Sequence, residues 1–174
     1  KNKNIKNGSV GIVAIPQKRK NGQLRTQGFL KALKENNYKA GGLLEQIDFS
    51  CDETYRLTEE LLSKNKSIKA IWLQGSDRYK AALRAINDLE LKKDVSLITF
   101  DAEPEFLELI PKGVLIASGM QQPFLMGTKA IESLDKHLKG KKVQKIKQLD
   151  VLTVSTDNIK NNITNIQRNV FGIK

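Results

Sequence analysis

The hydrophobic positions along the chain alternate between short continuous runs and helical stripes. Continuous apolar runs of strand length are typical of strands that are buried on both faces of a parallel sheet. Five such runs are bounded by turn residues, at Val10–Ile15, Gly41–Phe49, Ile68–Leu73, Val95–Phe100 and Val114–Ser118. Between these runs, apolar residues recur three or four positions apart, which predicts amphipathic helices.

The segments between the runs predict four helices that cover the sheet. They are Gln23–Asn36, a helix from Ser50 that carries Leu57, Leu61 and Leu62, a helix from Ser76 or Asp77 to Leu89, and Pro104–Leu109. Ser50 followed by Glu53 is a capping-box pattern that marks a helix start, and Ser76 or Asp77 is expected to cap the next helix. Strands that alternate with helices predict an α/β fold, with an open parallel sheet flanked by helices on both faces.

The pattern changes after Gln121. Pro123–Leu138 has the length of a long helix, and Leu149–Val154 is a sixth apolar run. One face of that helix carries the stripe Phe124, Gly127, Ile131, Leu134 and Leu138. The tail, residues 157–174, is polar and carries only weak signals for regular structure. The chain is therefore divided into a lobe, residues 1–121, and a return segment, residues 122–174.

Length and charge narrow the class of protein. The chain has 174 residues, of which 39% are hydrophobic, which suffices for one ordinary folded domain. Its net charge of +11 comes from 24 lysines and 6 arginines that are dispersed along the sequence. Because no aromatic residues are interleaved with them, a solvated lysine surface is favoured over contact with nucleic acid. No stretch approaches a membrane span, and Lys1–Asn4 do not begin a signal-peptide pattern.

Polar side chains and one aromatic residue come close to the predicted ends of several strands. In an open α/β sheet, ligands bind beyond the carboxyl ends of the strands. The candidates for ligand binding at that edge are Arg25, Phe49, Gln74, Ser76, Asp101 and Gln121. A carboxylate accepts hydrogen bonds from two hydroxyls, and a guanidinium donates two from a planar fork. This set therefore favours a polyhydroxyl ligand such as a sugar, with an aromatic ring against its apolar face.

Each of these residues also fits a structural role. Arg25 could be a surface arginine, Phe49 a core residue, and Asp101 the cap of the next helix. Only their shared position favours a binding site.

Enzyme motifs are absent from the sequence: Cys51 and His137 are single and far apart, zinc-ligand spacing is missing, and the first strand-to-helix turn has neither G-x-G-x-x-G nor a Walker A loop. We therefore predict binding rather than catalysis, with no catalytic residue, metal or cofactor.

Five segments of the sequence resemble those of a known protein family. They are Leu24–Phe29, Ile47–Phe49, Ile98–Pro104, Gly119–Pro123 and Val154–Asn158. In this order and spacing, the stretch from about Ser9 to Asn158 resembles the C-terminal lobe of type I periplasmic sugar-binding proteins of the ribose and galactose type. The resemblance implies that Arg25 binds sugar hydroxyls, that Phe49 packs on the sugar ring, and that Asp101 and Gln121 complete the site.

The chain departs from this family pattern in two places. After the third strand the family usually has an Asn-Asp pair, whereas this chain has Gly75-Ser76, so that Gln74, Ser76 or Asp77 would have to replace a hydrogen-bonding side chain. Family members also have two lobes with the ligand between them, and the helix that corresponds to residues 123–138 packs on the first lobe. We therefore expect the stripe on this helix to be covered by a missing N-terminal lobe or by a second chain.

The resemblance implies a function as well as a fold. It implies a periplasmic or extracellular, membrane-associated receptor that binds a monosaccharide and delivers it to the membrane permease of an ABC importer. Two alternatives share the fold: the effector-binding domain of a LacI-type transcriptional regulator, which would be cytoplasmic, and the sugar-sensing domain of a membrane receptor. The segment Leu152–Asn158 is more similar to the transport branch.

Overall fold

The computed structural model describes residues 7–173. Residues 1–6, on which the signal-peptide expectation depends, and Lys174 lie outside the described residues. The elements in chain order are β1 (Ser9–Ala14), α1 (Lys20–Glu35), β2 (Lys39–Glu45), α2 (Cys51–Lys64), β3 (Ile68–Leu73), α3 (Tyr79–Asp88), β4 (Ser96–Phe100), α4 (Phe106–Leu109), β5 (Leu115–Met120), α5 (Pro123–Leu138), β6 (Leu152–Ser155) and α6 (Ile159–Asn165). A π-helical turn, Ile166–Val170, follows α6.

The strands form one sheet in the order β2-β1-β3-β4-β5-β6. The first five run parallel, as the alternation of strands and helices predicted. Strand β6 is antiparallel to β5, with Val154 beside Ser118. Parallel pairing places the carboxyl ends of β1 to β5 at a single edge of the sheet, and we call this edge the rim.

Helices cover both faces of the sheet, as predicted. Alternate residues of a strand point to opposite faces. Ile12 of β1 therefore packs in one core with Leu33 of α1, whereas Val13 packs in the other core with residues of α2 and α3. Trp72 lies in the first core, where its ring stacks on Phe29 with 3.9 Å between the ring centroids.

The cap of α2 by Ser50 is confirmed, but Glu53 bonds to the preceding loop instead of to the Ser50 N–H, and this changes the end of the preceding strand. The Ser50 hydroxyl accepts a hydrogen bond from the backbone N–H of Glu53 at 3.0 Å. The Glu53 carboxylate in turn accepts bonds from the N–H groups of Ile47, Asp48 and Phe49. These N–H groups turn toward the helix instead of a neighbouring strand. Strand β2 therefore ends at Glu45, and its predicted extension to Phe49 was wrong.

Two helix starts also differ from the sequence prediction. Helix α1 begins at Lys20, three residues before the predicted start. Helix α3 begins at Tyr79 and has no side-chain cap, so the predicted cap by Ser76 or Asp77 was wrong. The reason is that the Ser76 hydroxyl and the Asp77 carboxylate are both engaged elsewhere, with Glu103 and Arg78 respectively.

The return segment is partly built into the same sheet. Helix α5 has no buried residue, and its stripe is open to solvent, with Ile131 67% and Leu138 76% exposed. By contrast, Ile159 of α6 and Ile166 are fully buried against the core, although the tail carried only weak signals in the sequence. Within residues 7–173, none of the helices has the length and apolar character needed to cross a membrane.

Candidate functional site

Three of the predicted ligand-binding residues meet at the rim. The Gln121 Nε2 atom, just beyond β5, donates a hydrogen bond of 2.6 Å to Asp101 Oδ1, just beyond β4. The other carboxylate oxygen, Asp101 Oδ2, lies 3.7 Å from Arg25 Nη2 on α1. The Asp101 side chain is 35% exposed. The structure thus places a guanidinium, a carboxylate and an amide in one row, with the carboxylate partly open to solvent.

The backbone holds Asp101 in an unusual conformation. Its φ is +69°, in the left-handed region that residues other than glycine seldom adopt, although Asp and Asn tolerate it. The Asp101 N–H donates to the Gly119 carbonyl at 2.8 Å, and the Asp101 carbonyl accepts from the Ser118 hydroxyl at 2.6 Å. Strand β5 therefore fixes the turn that points this carboxylate along the rim. Asp101 does not cap the next helix, because α4 follows Glu105.

Arg25 is held from two sides. Its guanidinium lies over the Phe100 ring, 3.8 Å from the centroid, and faces the Asp101 carboxylate. Its side chain is only 15% exposed. Burial lowers the pKa of Arg25, and the nearby charge of Asp101 partly offsets that effect. Such a stacked, partly dry guanidinium is well prepared to donate hydrogen bonds to a ligand.

Phe49 lies near two other arginines. It is half-buried in the loop between β2 and α2, with φ at +59°, and not at a strand end as predicted. The guanidinium carbons of Arg19 and Arg78 each lie 5.2 Å from the centroid of its ring. The ring therefore belongs to a second group of side chains at the rim, near the end of β2.

The remaining two candidates make internal hydrogen bonds. The Gln74 side chain is buried: its Nε2 donates to the Thr26 hydroxyl at 2.8 Å, and its Oε1 accepts from the Ile15 N–H at 3.3 Å. The Ser76 hydroxyl pairs with Glu103 Oε1 at 2.6 Å. Gln74 thus ties β3 to the start of α1, where Arg25 lies.

Sequence reasoning missed Arg78 and gave Glu103 no role of its own. Arg78 is only 7% exposed and lies directly beyond the Gly75-Ser76-Asp77 segment at the end of β3. Arginines are seldom buried without a partner. The contacts that bury Arg78 come from Gln46 and Phe49, which follow a different strand, so its neighbours in sequence do not reveal its burial. The signal that could have revealed it is Gly75, because a glycine at a strand end leaves room that another side chain can fill.

A groove of ≈ 270 Å³ with a mixed polar and apolar lining lies beside the rim. It is bounded by α5 and by the segment 147–151, and Gln121 and Gln122 form one end of it. Gln122 is buried; its amide group donates to the Asp150 carbonyl at 2.7 Å and accepts from Asn169 Nδ2 at 2.9 Å. The groove thus borders the face of α5 that carries Met126, Ala130 and Ser133, and not the face that carries the exposed apolar stripe.

Comparisons with known proteins identify the family of this chain. Residues 1–142 match the model of a family described as "Periplasmic binding protein domain". Over 132 residues, 75% of this chain and 44% of the relative, the chain is 30% identical to "Ribose import binding protein RbsB" of Haemophilus influenzae. Over 95 residues, 53% of this chain and 28% of the relative, it is 32% identical to "HTH-type transcriptional repressor PurR" of Escherichia coli.

A solved structure supports the fold over nearly the whole chain. An ABC transporter periplasmic solute binding protein from Actinobacillus succinogenes, with bound D-allose, superposes with a TM-score of 0.80 at 23% identity. The match covers 90% of this chain and 56% of that one. At this identity the likeness concerns the fold alone. The present chain thus spans less than half the length of either curated relative and about half of the solved structure.

Proposed function

The chain belongs to the periplasmic binding protein family, and from this premise we propose that it is the sugar-binding lobe of a solute receptor that serves an ABC importer. The observation that carries the proposal is the row of Arg25, Asp101 and Gln121 at the rim. These groups offer donors and acceptors side by side, which is the pattern that a sugar with vicinal hydroxyls needs. The family is one of binding proteins, and we propose no catalytic step for this chain.

The relatives give the proposal its substrate class and compartment. The curated relative from Haemophilus influenzae is named for ribose import, and the solved neighbour contains D-allose. A monosaccharide is therefore the ligand that we propose. Receptors of that class bind their sugar outside the cytoplasm. We therefore propose that this receptor is periplasmic or extracellular and docks on a membrane permease.

We also propose that a first lobe covers α5. Its apolar side chains are exposed, among them Phe124 at 54%, Ile131 at 67% and Leu134 at 52%. A row of exposed large apolar residues on one helix marks an interaction surface. Since α5 begins two residues after Gln121, a first lobe on this helix would close over the same rim. A bound sugar would then lie between the two lobes.

Titration calorimetry of the complete natural protein tests the proposal. The sugars are ribose, allose and galactose, and the variant is Asp101→Ala. We expect binding of at least one sugar by the wild type and loss of that heat in the variant. The control is Asp94→Ala, which lies before β4 at the opposite edge of the sheet and should bind like the wild type. Equal binding by both variants, or no heat with these sugars and with their acidic and phosphorylated forms, would contradict the proposal.

One alternative has an observation in its favour, namely the match to a transcriptional repressor. Under it, the chain would be the effector-binding domain of a LacI-type regulator in the cytoplasm. The coding sequence upstream of Lys1 separates the two: DNA-binding helices would establish the regulator, and a signal peptide the receptor. The repressor match is shorter than the import-protein match, 95 against 132 residues, and we therefore favour the receptor.

A further inference from the structure

The guanidinium of Arg78 fills the space that Gly75 leaves open. Gly75 is buried just beyond β3, and a Cβ added there would lie 2.5 Å from Arg78 Nη2. The backbone at this glycine has no positive φ, so its conformation alone does not require the residue. Glycine is required at this position because any larger side chain would collide with the Arg78 guanidinium. The chain thus places a buried cation at the centre of the rim, between the strand end that precedes Phe49 and the one that precedes Asp101.

The hydrogen-bonding capacity of this guanidinium is only partly used. Both oxygens of Asp77 accept from the same nitrogen, Nη1, at 2.7 Å, and Gln46 Oε1 accepts from Nη2 at a long 3.4 Å. The buried Nε–H has no partner among the described residues. A guanidinium has five N–H donors and binds an anion best through two parallel bonds. The edge formed by Nε and Nη2 makes no such pair here.

Asp77 is a weakly held partner for this buried charge. Its side chain is 66% exposed, whereas that of Arg78 is 9% exposed. An ion pair with a carboxylate that is well solvated contributes little in water. An incoming anion can therefore replace the Asp77 carboxylate, which can turn into solvent without being buried.

Other cations surround the same place. Arg19 is exposed in the loop beyond β1, and its guanidinium lies beside the Phe49 ring, as that of Arg78 does. Within residues 7–173 no carboxylate lies within 4.0 Å of Arg19, whereas Arg25 is paired with Asp101. Three of the six arginines in the chain thus lie at the rim, and two of them flank the ring proposed to pack against the sugar.

We infer that the ligand is a sugar that carries an anionic group, a carboxylate or a phosphate, and that Arg78 is the residue that selects it. This inference rests on the proposed function and adds the charge of the substrate to it. The sugar ring would contact Phe49, its hydroxyls would bond to Asp101 and Gln121, and its anionic group would replace the Asp77 carboxylate at Nη1 of Arg78, beside the open charge of Arg19.

The test compares two matched pairs of sugars by calorimetry on the complete natural protein. One pair is galacturonate and galactose, and the other is ribose 5-phosphate and ribose. The two pairs show whether the site prefers a carboxylate or a phosphate. We expect one anionic sugar to bind at least tenfold more tightly than its neutral partner. In Arg78→Gln that affinity should fall about 10- to 100-fold, as expected when bonds to a charged group are lost, while any binding of the neutral sugar changes less than threefold.

The matched control is Arg84→Gln, which removes an exposed arginine of α3 that lies over Tyr55. It should bind like the wild type. If circular dichroism shows that Arg78→Gln is unfolded, Gly75→Ala replaces it: the added methyl group pushes the guanidinium aside and keeps the charge, and we expect a similar loss. Tighter binding of the neutral sugar in both pairs would overturn this inference alone. Absence of binding to all four sugars would overturn the proposed function as well.

Discussion

Replacing Asp101 by asparagine separates the charge of this side chain from its shape. Asparagine tolerates the left-handed conformation that residue 101 adopts, with φ at +69°. Its amide oxygen can still accept the 2.6 Å bond from Gln121. The bonds from residue 101 to Ser118 and Gly119 involve only its backbone and remain. The substitution therefore keeps the geometry of the rim and removes one negative charge.

The expected cost has two parts. Arg25 Nη2 and Asp101 Oδ2 are 3.7 Å apart, which is too long for a strong hydrogen bond, so their attraction is mainly Coulombic. Since the carboxylate is 35% exposed and screened by water, its removal should lower the free energy of unfolding by only about 1 kcal/mol. Bonds to a charged group are about twice as strong as neutral ones. Loss of the charge from two bonds to sugar hydroxyls should cost about 1.5–3 kcal/mol, or about 10- to 100-fold in affinity.

Two measurements check these parts separately. Urea denaturation of Asp101→Asn and wild type gives the difference in stability, and titration calorimetry with the best ligand gives the difference in affinity. Asp94→Asn is the control for both. If Asp101→Asn is folded and its affinity lies within twofold of the wild type, the carboxylate does not contact the ligand. The assignment of the rim as the binding site would then be refuted.

Three further substitutions test the fold and the exposed helix face. Ser50→Ala removes the cap of α2 and should lower the free energy of unfolding by about 1 kcal/mol in urea; no change would contradict the cap. Phe106→Ala empties a fully buried site beside Tyr79 and should cost about 3–5 kcal/mol by the same assay, whereas a loss below 1 kcal/mol would contradict its core position. Leu134→Glu, at a side chain that is 52% exposed, should change stability by less than about 0.5 kcal/mol, since surface substitutions usually do. It should nevertheless prevent co-purification of the chain with a separately expressed first lobe, and normal co-purification would refute the role of α5.

The parts of the fold that the sequence predicted well are those that local pattern decides. Val10–Ile15 and Ile68–Leu73 are continuous apolar runs, and the strands found there begin and end within one residue of the prediction. The end of β2 was misplaced because Ile47 and Phe49 look like strand residues, while the side chain that turns this segment, Glu53, belongs to the following helix. A local pattern does not show which backbone groups a later carboxylate will bind.

The parts that were missed depend on contacts distant in sequence. Arg78 is buried by Phe49 and Gln46, some 30 residues earlier in the chain, and by the absence of a side chain at Gly75. The tail carries a helical stripe, Ile159, Ile163, Ile166 and Val170, which the polar residues around it made easy to overlook, and Ile159 and Ile166 are fully buried. Both side chains pack in one core with Met120 of β5 and Val154 of β6, and the sequence left the direction of β6 open.

The two adjacent glutamines where the lobe ends connect the ligand rim to the C-terminal tail. Gln121 points to the rim and bonds to Asp101, whereas Gln122 points away and bonds to Asp150 and Asn169. A backbone rotation at Gln121 and Gln122 that moves α5 relative to the sheet must therefore break these hydrogen bonds or move their partners as well. The tail beyond residue 157 therefore stabilises the same crossing that positions a ligand-binding amide. The apolar stripe of Ile159, Ile166 and Val170 buries the tail in the core, and the bond from Asn169 to Gln122 ties the tail to the crossing.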